Sequence, residues 1–440
     1  MSISRALVLP ILGLWALAAF AEQPSSRPAT DAPELARLGS AAVGVRTITL
    51  TDVAQADALA IDPDGAHAAL HDRSLTVDIW YPAQSLAGAP AVTYSATMPS
   101  EPPAPPLAFT TPGLAVRDAP ALPGRHPLVV VSHGRGNVTV AMSWLTENLA
   151  SKGYVVAAIR HEDPIERDAA HFAVILLRRP LDIAFVTRSL QASLAAEGLV
   201  DPARTALIGY SMGGYGVLTS AGAVLDPDAP FVKGVAAGLL LPYARGGDHQ
   251  DRVLVNGLKA VVAISPCCGR AMSWGHDGLK GVHAPLMMIA GDKDFTVGYA
   301  DAARAFFDEA VNSNRYLLTY TGGGHHLGLN AVPDSMRGTL WHLNYFEDMV
   351  WRKERVLGVN LHMITAFLDR YVRGDESRAS YIDGLVEDSN AGQWPTATEH
   401  YDTISPGTGG ITVWKGFQRG YAVNLELLHR LPADAAASAR

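Results

Sequence analysis

Between about residue 127 and residue 375, short apolar runs alternate with longer stretches whose apolar positions recur at helical spacing. The short runs are PLVVVSHG, YVVAAIRHED, TALIGYS, LKAVVAISP, APLMMIAGDKD and RYLLTYTGG. Continuous apolar runs of this length are typical of strands buried on both faces of a parallel sheet. Helical spacing is found in AMSWLTENLASKG, RRPLDIAFVTRSLQASLAAEG, MGGYGVLTSAGAVL, YADAARAFFDEAV and NLHMITAFLDRYVRG. The alternation predicts an α/β fold with a mostly parallel central sheet and helices on both faces.

Weaker patterns flank this core. GVRTITLTD and LTVDIWYPA alternate apolar and polar residues, which predicts two strands of a hairpin or meander. A Pro-rich stretch from Pro99 to Pro127 predicts a loop. Residues 223–258 and 327–355 are predicted insertions between core elements, and from about Ser377 we expect a short appended hairpin and helix. Residues 22–440 are therefore predicted to form a single domain.

The first residues have the three parts of a secretory signal peptide. Arg5 supplies the positive charge, Ala6 to Phe20 the apolar core, and Ala19-Phe20-Ala21 a small-residue cleavage site. A membrane anchor is the alternative, but the apolar run is short for a spanning helix. We predict a signal peptide at 1–21 and a secreted or periplasmic protein.

Composition and charge limit the kinds of partner that the protein is expected to bind. The chain has 440 residues, 48% of them hydrophobic, and a net charge of −8 without a Lys/Arg block. This excludes an obvious nucleic-acid surface, and no later segment predicts a stable membrane span. The only two cysteines are adjacent, Cys267 and Cys268. A disulfide between neighbours closes no useful loop, so two buried thiols are favoured. No His or Cys spacing indicates a metal site, and the oligomeric state cannot be predicted.

The glycine-rich stretch RTALIGYSMGGYGVLTSAG contains G-x-S-x-G, with Ser211 at its centre. The motif follows a predicted strand and opens a predicted helix, which is the context that it requires. A serine on so sharp a turn projects above the sheet, and its close neighbours have no room for a Cβ. We therefore predict that Ser211 is a nucleophile.

A serine nucleophile needs a base and a third group that orients the base. In this type of fold the order along the chain is Ser, acid, His. LMMIAGDKDFTV ends a predicted strand with Asp292 and Asp294, and YLLTYTGGGHHLGL ends the next with His325 and His326. Asp294 is favoured because it lies deeper in its loop, with Asp292 as a turn cap. His325 is favoured over His326, which is expected nearer the pocket rim.

Two backbone N–H groups are predicted to stabilise an oxyanion. The Met212 N–H lies at a helix N-terminus beside the serine. The second donor is expected from the loop after an early strand, where SHGRGN allows a tight turn that directs the Arg135 N–H into the site. His133 is predicted to bond within this loop.

Together these motifs resemble the α/β-hydrolases, and more narrowly the platelet-activating-factor acetylhydrolase and predicted dienelactone-hydrolase-like group. The resemblance rests on VDIWYPA, PLVVVSHGRGN, RRPLDIAFV, DPARTALIGYSMGGYGVLTSAG, GGGHHLGL and ITAFLDRYVRGD, and covers about residues 75–375. It implies the α/β-hydrolase fold, a catalytic Ser211, Asp294 and His325, and oxyanion donors at Arg135 and Met212. Dienelactone hydrolases commonly use cysteine, so serine here indicates ester hydrolysis. Cutinase-like polyester hydrolases share the loop arrangement, but their disulfide pattern is absent.

The sequence therefore predicts a secreted serine hydrolase that cleaves carboxylic esters through an acyl-enzyme, without a cofactor. The expected partner is a small-molecule or lipid-like ester, and both insertions are expected to set acyl-chain length. Two alternatives stay open. An acyltransferase would use the same acyl-enzyme, and a hydrolase-like binding protein would have no activity.

Overall fold

The computed structural model describes residues 23–56, 58, 70–166, 168–269, 272–395, 403–405 and 410–433. The predicted signal peptide at 1–21 lies outside them. Their strands are β1 (Ala42–Ala56), β2 (Leu70–Ala83), β3 (Thr93–Met98), β4 (Leu107–Pro112), β5 (Val116–Arg117), β6 (His126–Ser132), β7 (Val155–Arg160), β8 (Val200–Tyr210), β9 (Ala260–Ile264), β10 (Leu286–Gly291), β11 (Arg315–Tyr320) and β12 (Leu425–Arg430).

Within the described residues, a 10-stranded sheet has the order β12-β11-β10-β9-β8-β6-β7-β2-β1-β5. Its middle strands, from β7 to β11 in this order, run parallel to one another. β2 pairs antiparallel with β7, and β12 pairs antiparallel with β11. The parallel strands are the continuously apolar runs of the sequence, because side chains on both of their faces are buried.

Helices cover both faces of this sheet. They are α1 (Ser143–Ser151), α2 (Ala169–Ala196), α3 (Met212–Ser220), α4 (Pro230–Gly234), α5 (Ala305–Glu309), α6 (Leu340–Phe346) and α7 (Lys353–Tyr371). Apolar side chains of α1 and α7 belong to one hydrophobic cluster, and those of α2, α3 and α5 belong to a second. The predicted fold class, a mostly parallel sheet between two helical layers, is confirmed.

Three local predictions are wrong. α2 begins at Ala169, well before the predicted RRPLD start, because Ile175 and Leu176 are already buried against the sheet. The Pro-rich stretch contains β4, which pairs with β3 in a hairpin outside the main sheet. In place of the predicted C-terminal hairpin and helix, the described residues contain two short 3-10 helices, Glu376–Tyr381 and Ser389–Ala391, and the edge strand β12, whose Leu425 and Leu427 are buried.

Candidate active site

Ser211 lies at the turn between β8 and α3. Its backbone has φ +52° and ψ −113°, a conformation that L residues rarely adopt. A Cβ at Gly209 would lie 2.1 Å from the Gly213 carbonyl oxygen, and one at Gly213 would lie 1.9 Å from the Ser132 carbonyl oxygen. The glycines on both sides of the serine therefore allow the close packing that the sequence predicts.

A chain of hydrogen bonds joins Ser211 to two loops at the same edge of the sheet. His325 Nε2 lies 3.0 Å from Ser211 Oγ. His325 Nδ1 lies 2.7 Å from Asp294 Oδ2, and the other oxygen of Asp294 accepts the N–H groups of Thr296 and Val297. This Asp–His–Ser geometry orients the imidazole so that Nε2 can take a proton from the serine.

The two remaining candidates lie beside this chain. Asp292 Oδ1 accepts the Gly322 N–H at 2.6 Å, and so caps the turn that leads to His325. The His326 ring lies 5.3 Å from the His325 ring, lines the cavity next to it and stacks on Tyr345. The structure thus brings Asp294 and His325 together with Ser211, and leaves Asp292 and His326 in neighbouring positions.

Burial and charge affect these groups differently. Burial of Asp294 alone would raise its pKa, but the hydrogen bond and charge of His325 and the backbone N–H groups hold the pKa below the ordinary value. Asp294 therefore stays ionised beside the imidazole. Burial lowers the pKa of His326 to about 3, with His325 and Lys353 adding to the effect. His326 is a neutral side chain at neutral pH.

The predicted oxyanion donors lie on two elements that meet here. Met212 is the first residue of α3, where a backbone N–H has no intrahelical acceptor. Arg135 follows β6, its guanidinium donates to the Glu166 carbonyl at 2.6 Å, and its own carbonyl accepts the Tyr345 hydroxyl at 3.0 Å. His133 is buried and bonds within this loop through Gly134, as predicted.

Arg179 in α2 supports the Arg135 loop from below. Its side chain is completely buried, forms an ion pair with Asp163 and donates to the carbonyl groups of His133 and Gly134. Sequence analysis missed this role. An arginine within the apolar run AVILLRRPLDIAF is the signal that could have indicated it, because a buried guanidinium needs several acceptors.

A second Ser–His–Asp arrangement lies beneath the same loop. Ser132 Oγ is 2.9 Å from His161 Nε2, and His161 Nδ1 is 3.0 Å from Asp182 Oδ2. Two bonds of 2.8 Å from Arg73 hold Asp182. Ser132 has no exposed surface, so this arrangement stabilises the end of β6 and cannot meet a substrate.

A cavity of about 150 Å³ opens beside the His325 ring. Its lining includes His326 and Phe295 and, from residues 327–355, Asn344, Glu347, Asp348 and Met349. Among the described residues, none from 223–258 lines this cavity, and the expectation that both insertions set acyl-chain length stays a prediction. A larger cleft of about 430 Å³ lies beside Arg46 and Leu199, at the opposite end of β8 from Ser211.

Cys267 and Cys268 form a disulfide, where sequence analysis favoured two thiols. They follow β9 and are both 7% exposed, directly beside Met212. Among the described residues, no group of three His, Cys, Asp or Glu side chains is arranged to hold a metal ion. No helix in this part of the chain combines the length and apolar character that crossing a membrane requires.

Comparison with known proteins finds a family-model match to a segment that includes Ser211. Residues 121–231 match a family model described as PET hydrolase-like. Cutinase 2 from Thermobifida cellulosilytica is 31% identical over 211 residues, which are 48% of this chain and 63% of the cutinase. The match therefore spans less than two thirds of that relative. A solved structure of a ferulic acid esterase from Streptomyces cinnamoneus aligns with a TM-score of 0.48 and 20% identity, covering 80% of this chain and 94% of that chain.

The sheet order, the two helical layers and the strand–turn–helix around Ser211 agree with the family match. They also agree with the superfamily expected from the motifs. The chain therefore has an α/β-hydrolase fold, and its residues 121–231 are similar to PET hydrolase-like proteins.

Proposed function

We propose that the protein is a serine hydrolase of carboxylic esters, with Ser211 as nucleophile, His325 as base and Asp294 as the orienting acid. The hydrogen-bond chain from Asp294 through His325 to Ser211 carries the proposal. The similarity to a cutinase and to PET hydrolase-like proteins supports the same reaction class.

In the proposed reaction, His325 Nε2 takes the Ser211 proton while Oγ attacks the ester carbonyl carbon. The N–H groups of Met212 and Arg135 donate to the oxyanion of the tetrahedral intermediate. The intermediate collapses as His325 returns the proton to the leaving alcohol, which forms an acyl-enzyme. Water then attacks the acyl carbonyl with His325 again as base, and the carboxylic acid is released.

The surroundings of the cavity favour an ester with an apolar body. Phe295 is 81% exposed, Met349 70% and Val350 67%, and the first two line the cavity beside His325. Exposed apolar side chains grouped at a cavity mouth usually mark a binding surface. The small cavity admits a short acyl group or one end of a larger molecule, whose remainder would lie on these three side chains.

Hydrolysis of p-nitrophenyl esters from acetate to dodecanoate, by the wild type and by Ser211→Ala, tests the proposal. We expect activity that falls to background in the variant, and labelling of the Ser211 peptide by a fluorophosphonate. Transfer of the acyl group to an added alcohol faster than to water would favour the acyltransferase. An inactive, unlabelled wild type would refute the hydrolase and favour the binding protein.

We also infer that the protein is exported. The signal-peptide pattern at 1–21 supports this, and so does the disulfide, because disulfides persist mainly in oxidising compartments. N-terminal sequencing of the mature protein should begin at Glu22. Recovery of the intact N-terminus from the cytoplasm would contradict export.

A further inference from the structure

Ile264, the last residue of β9, and the segment that follows it are both bonded to the backbone of the nucleophile. The Ser211 N–H donates to the Ile264 carbonyl at 2.9 Å, and the Ser211 carbonyl accepts the Cys267 N–H at 3.2 Å. Pro266 belongs to the same segment, and a Cβ at Gly214 in α3 would lie 2.9 Å from it. A shift of this segment would therefore move the serine backbone directly.

The disulfide packs against the side chain of Met212, whose backbone N–H is a proposed oxyanion donor. The Met212 sulfur is 3.9 Å from each of the two cysteine sulfurs, and Met212 is 2% exposed. Cys267 thus contacts the turn twice, through its N–H to Ser211 and through its sulfur to Met212. The Cys268 carbonyl is fixed in turn by the Ser273 hydroxyl at 2.5 Å.

The backbone here has an unusual shape. Ser265 has φ +43° and Cys268 has φ +68°, in the left-handed region that residues with a Cβ rarely adopt. The covalent ring formed by the adjacent cysteines limits the backbone conformations open to this segment.

Global stability does not explain the bond. A disulfide stabilises a fold mainly by closing a loop in the unfolded chain, and the effect grows with loop length. Cys267 and Cys268 are adjacent, so almost no unfolded-state freedom is lost. The consequence of this bond is therefore local, at the turn that it contacts.

We propose that the Cys267–Cys268 disulfide is a redox-sensitive positioning element for Ser211 and Met212, and that its reduction lowers the turnover number for esters. The proposal rests on the proposed hydrolase function. Reduction by a dithiol transfers two electrons and two protons: the S–S bond becomes two thiols, and the dithiol becomes a cyclic disulfide. Free of the ring, the segment no longer fixes the Cys267 N–H against Ser211 or the sulfurs against Met212.

The expected effect lies in kcat. Loss of one oxyanion donor reduces kcat by roughly 10²–10³, and a displaced donor retains part of its effect, so we expect a fall of about tenfold. KM should change by less than about twofold, because the cysteines do not line the cavity beside His325. A role confined to fold stability would change the melting temperature and leave kcat unaltered.

The test compares the mature enzyme before and after treatment with dithiothreitol. Three quantities are measured in each state: kcat and KM for p-nitrophenyl acetate, the number of free thiols by alkylation and mass spectrometry, and the melting temperature. Since the chain has 2 cysteines in all, reduction changes this bond alone. We expect no free thiols before and two after, a reversible fall in kcat, and a melting temperature within about 2 °C. The matched control is the Cys267→Ser/Cys268→Ser variant, which should have low kcat and no response to dithiothreitol.

Two free thiols in the enzyme purified without reductant, or an equal kcat in both redox states, would overturn the proposal. An equal fall in kcat when the double serine variant is treated with dithiothreitol would also overturn the proposal, because that variant has no disulfide to reduce. An oxidised enzyme without any esterase activity or fluorophosphonate labelling would instead refute the hydrolase function. The two failures are therefore distinguishable.

Discussion

Ser211 adopts its rare backbone conformation because its neighbours leave no alternative. Its N–H is bonded to Ile264 at the end of β9, its carbonyl is bonded to Cys267 just after that strand, and Gly209 and Gly213 pass within contact distance of other backbone. Such strained positions persist when the surrounding structure determines them several times over. Removing one of these restraints should therefore affect the whole turn.

Gly213→Ala should destabilise the protein strongly. The new Cβ would lie 1.9 Å from the Ser132 carbonyl, a rigid backbone atom of β6. Overpacking of this kind costs about 3 kcal/mol. Urea unfolding should report the loss. Gly234→Ala in α4 is the matched control, because a Cβ there has no atom within 4 Å. Equal stability of the two variants would mean that the turn adapts.

Substitution of each of the two acids of the Asp294 loop should reduce kcat to a different extent. Asp294→Asn should reduce kcat by about a thousandfold or more, because an amide no longer holds His325 in the required tautomer. Asp292→Asn should reduce kcat by less than about tenfold, since Asp292 bonds to the Gly322 N–H and has no bond to the imidazole. Steady-state kinetics with p-nitrophenyl acetate measures both. A larger loss from Asp292→Asn would reverse the assignment.

At the scale of elements, the site is an assembly of loops at the carboxyl edge of the sheet, each fixed by a partner element. α2 fixes the loop after β6 through Arg179. α6 adds a contact from above, where Tyr345 bonds to the Arg135 carbonyl and stacks on Trp341. The helices therefore supply positioning contacts, and the loops hold the groups that are proposed for the chemistry.

Arg179→Met should cost about 3–5 kcal/mol in the free energy of unfolding, because it leaves the buried Asp163 without its partner. It should also lower kcat, since the carbonyl groups of His133 and Gly134 each lose the bond from Arg179. Denaturant unfolding and ester kinetics are the measurements. Arg188→Met is a suitable control, as its guanidinium lies at the exposed side of the same helix. Unaltered kcat in a folded Arg179→Met enzyme would exclude the positioning role.

At the scale of the whole molecule, many ionisable groups are buried inside the two hydrophobic layers. Burial, together with the charge of Arg179, lowers the pKa of His161 to about 4. Burial likewise lowers the pKa of His362 to about 3. Both rings are neutral in the folded protein at pH 5, whereas they bind protons in the unfolded chain below about pH 6.5.

Acidification from pH 7 to pH 5 should therefore reduce stability. A histidine whose folded-state pKa is depressed leaves the free energy of unfolding unchanged above its unfolded-state pKa. As the pH falls from there toward the folded-state pKa, the unfolded chain binds a proton that the folded protein does not, and the free energy of unfolding decreases. At pH 5 the loss is about 2 kcal/mol for each such ring. Urea unfolding at both pH values measures it. His362→Gln should reduce the difference by about 2 kcal/mol, whereas exposed His276→Gln should leave it as in wild type.

Much of this architecture follows from near-neighbour patterns. Continuous apolar runs predict buried parallel strands because every side chain of such a strand faces a helical layer. G-x-S-x-G predicts the turn around Ser211 because only glycine permits those approaches. The early start of α2 and the edge strand β12 were missed, since their boundaries depend on burial against elements far along the chain.

The sequence by itself determined the fold class, the turn that carries Ser211, and the loops that offer an acid and a histidine. Only the tertiary structure decided which of these groups meet. Ser211 and His325 are 114 residues apart, and His325 and Asp294 are 31 apart. Tertiary structure also decided three other features: the position of Arg179 beneath the loop after β6, the contact of the disulfide with Met212, and the cavity wall from residues 327–355. Periodicity records which face of an element is buried, whereas contact between side chains depends on the element packed opposite.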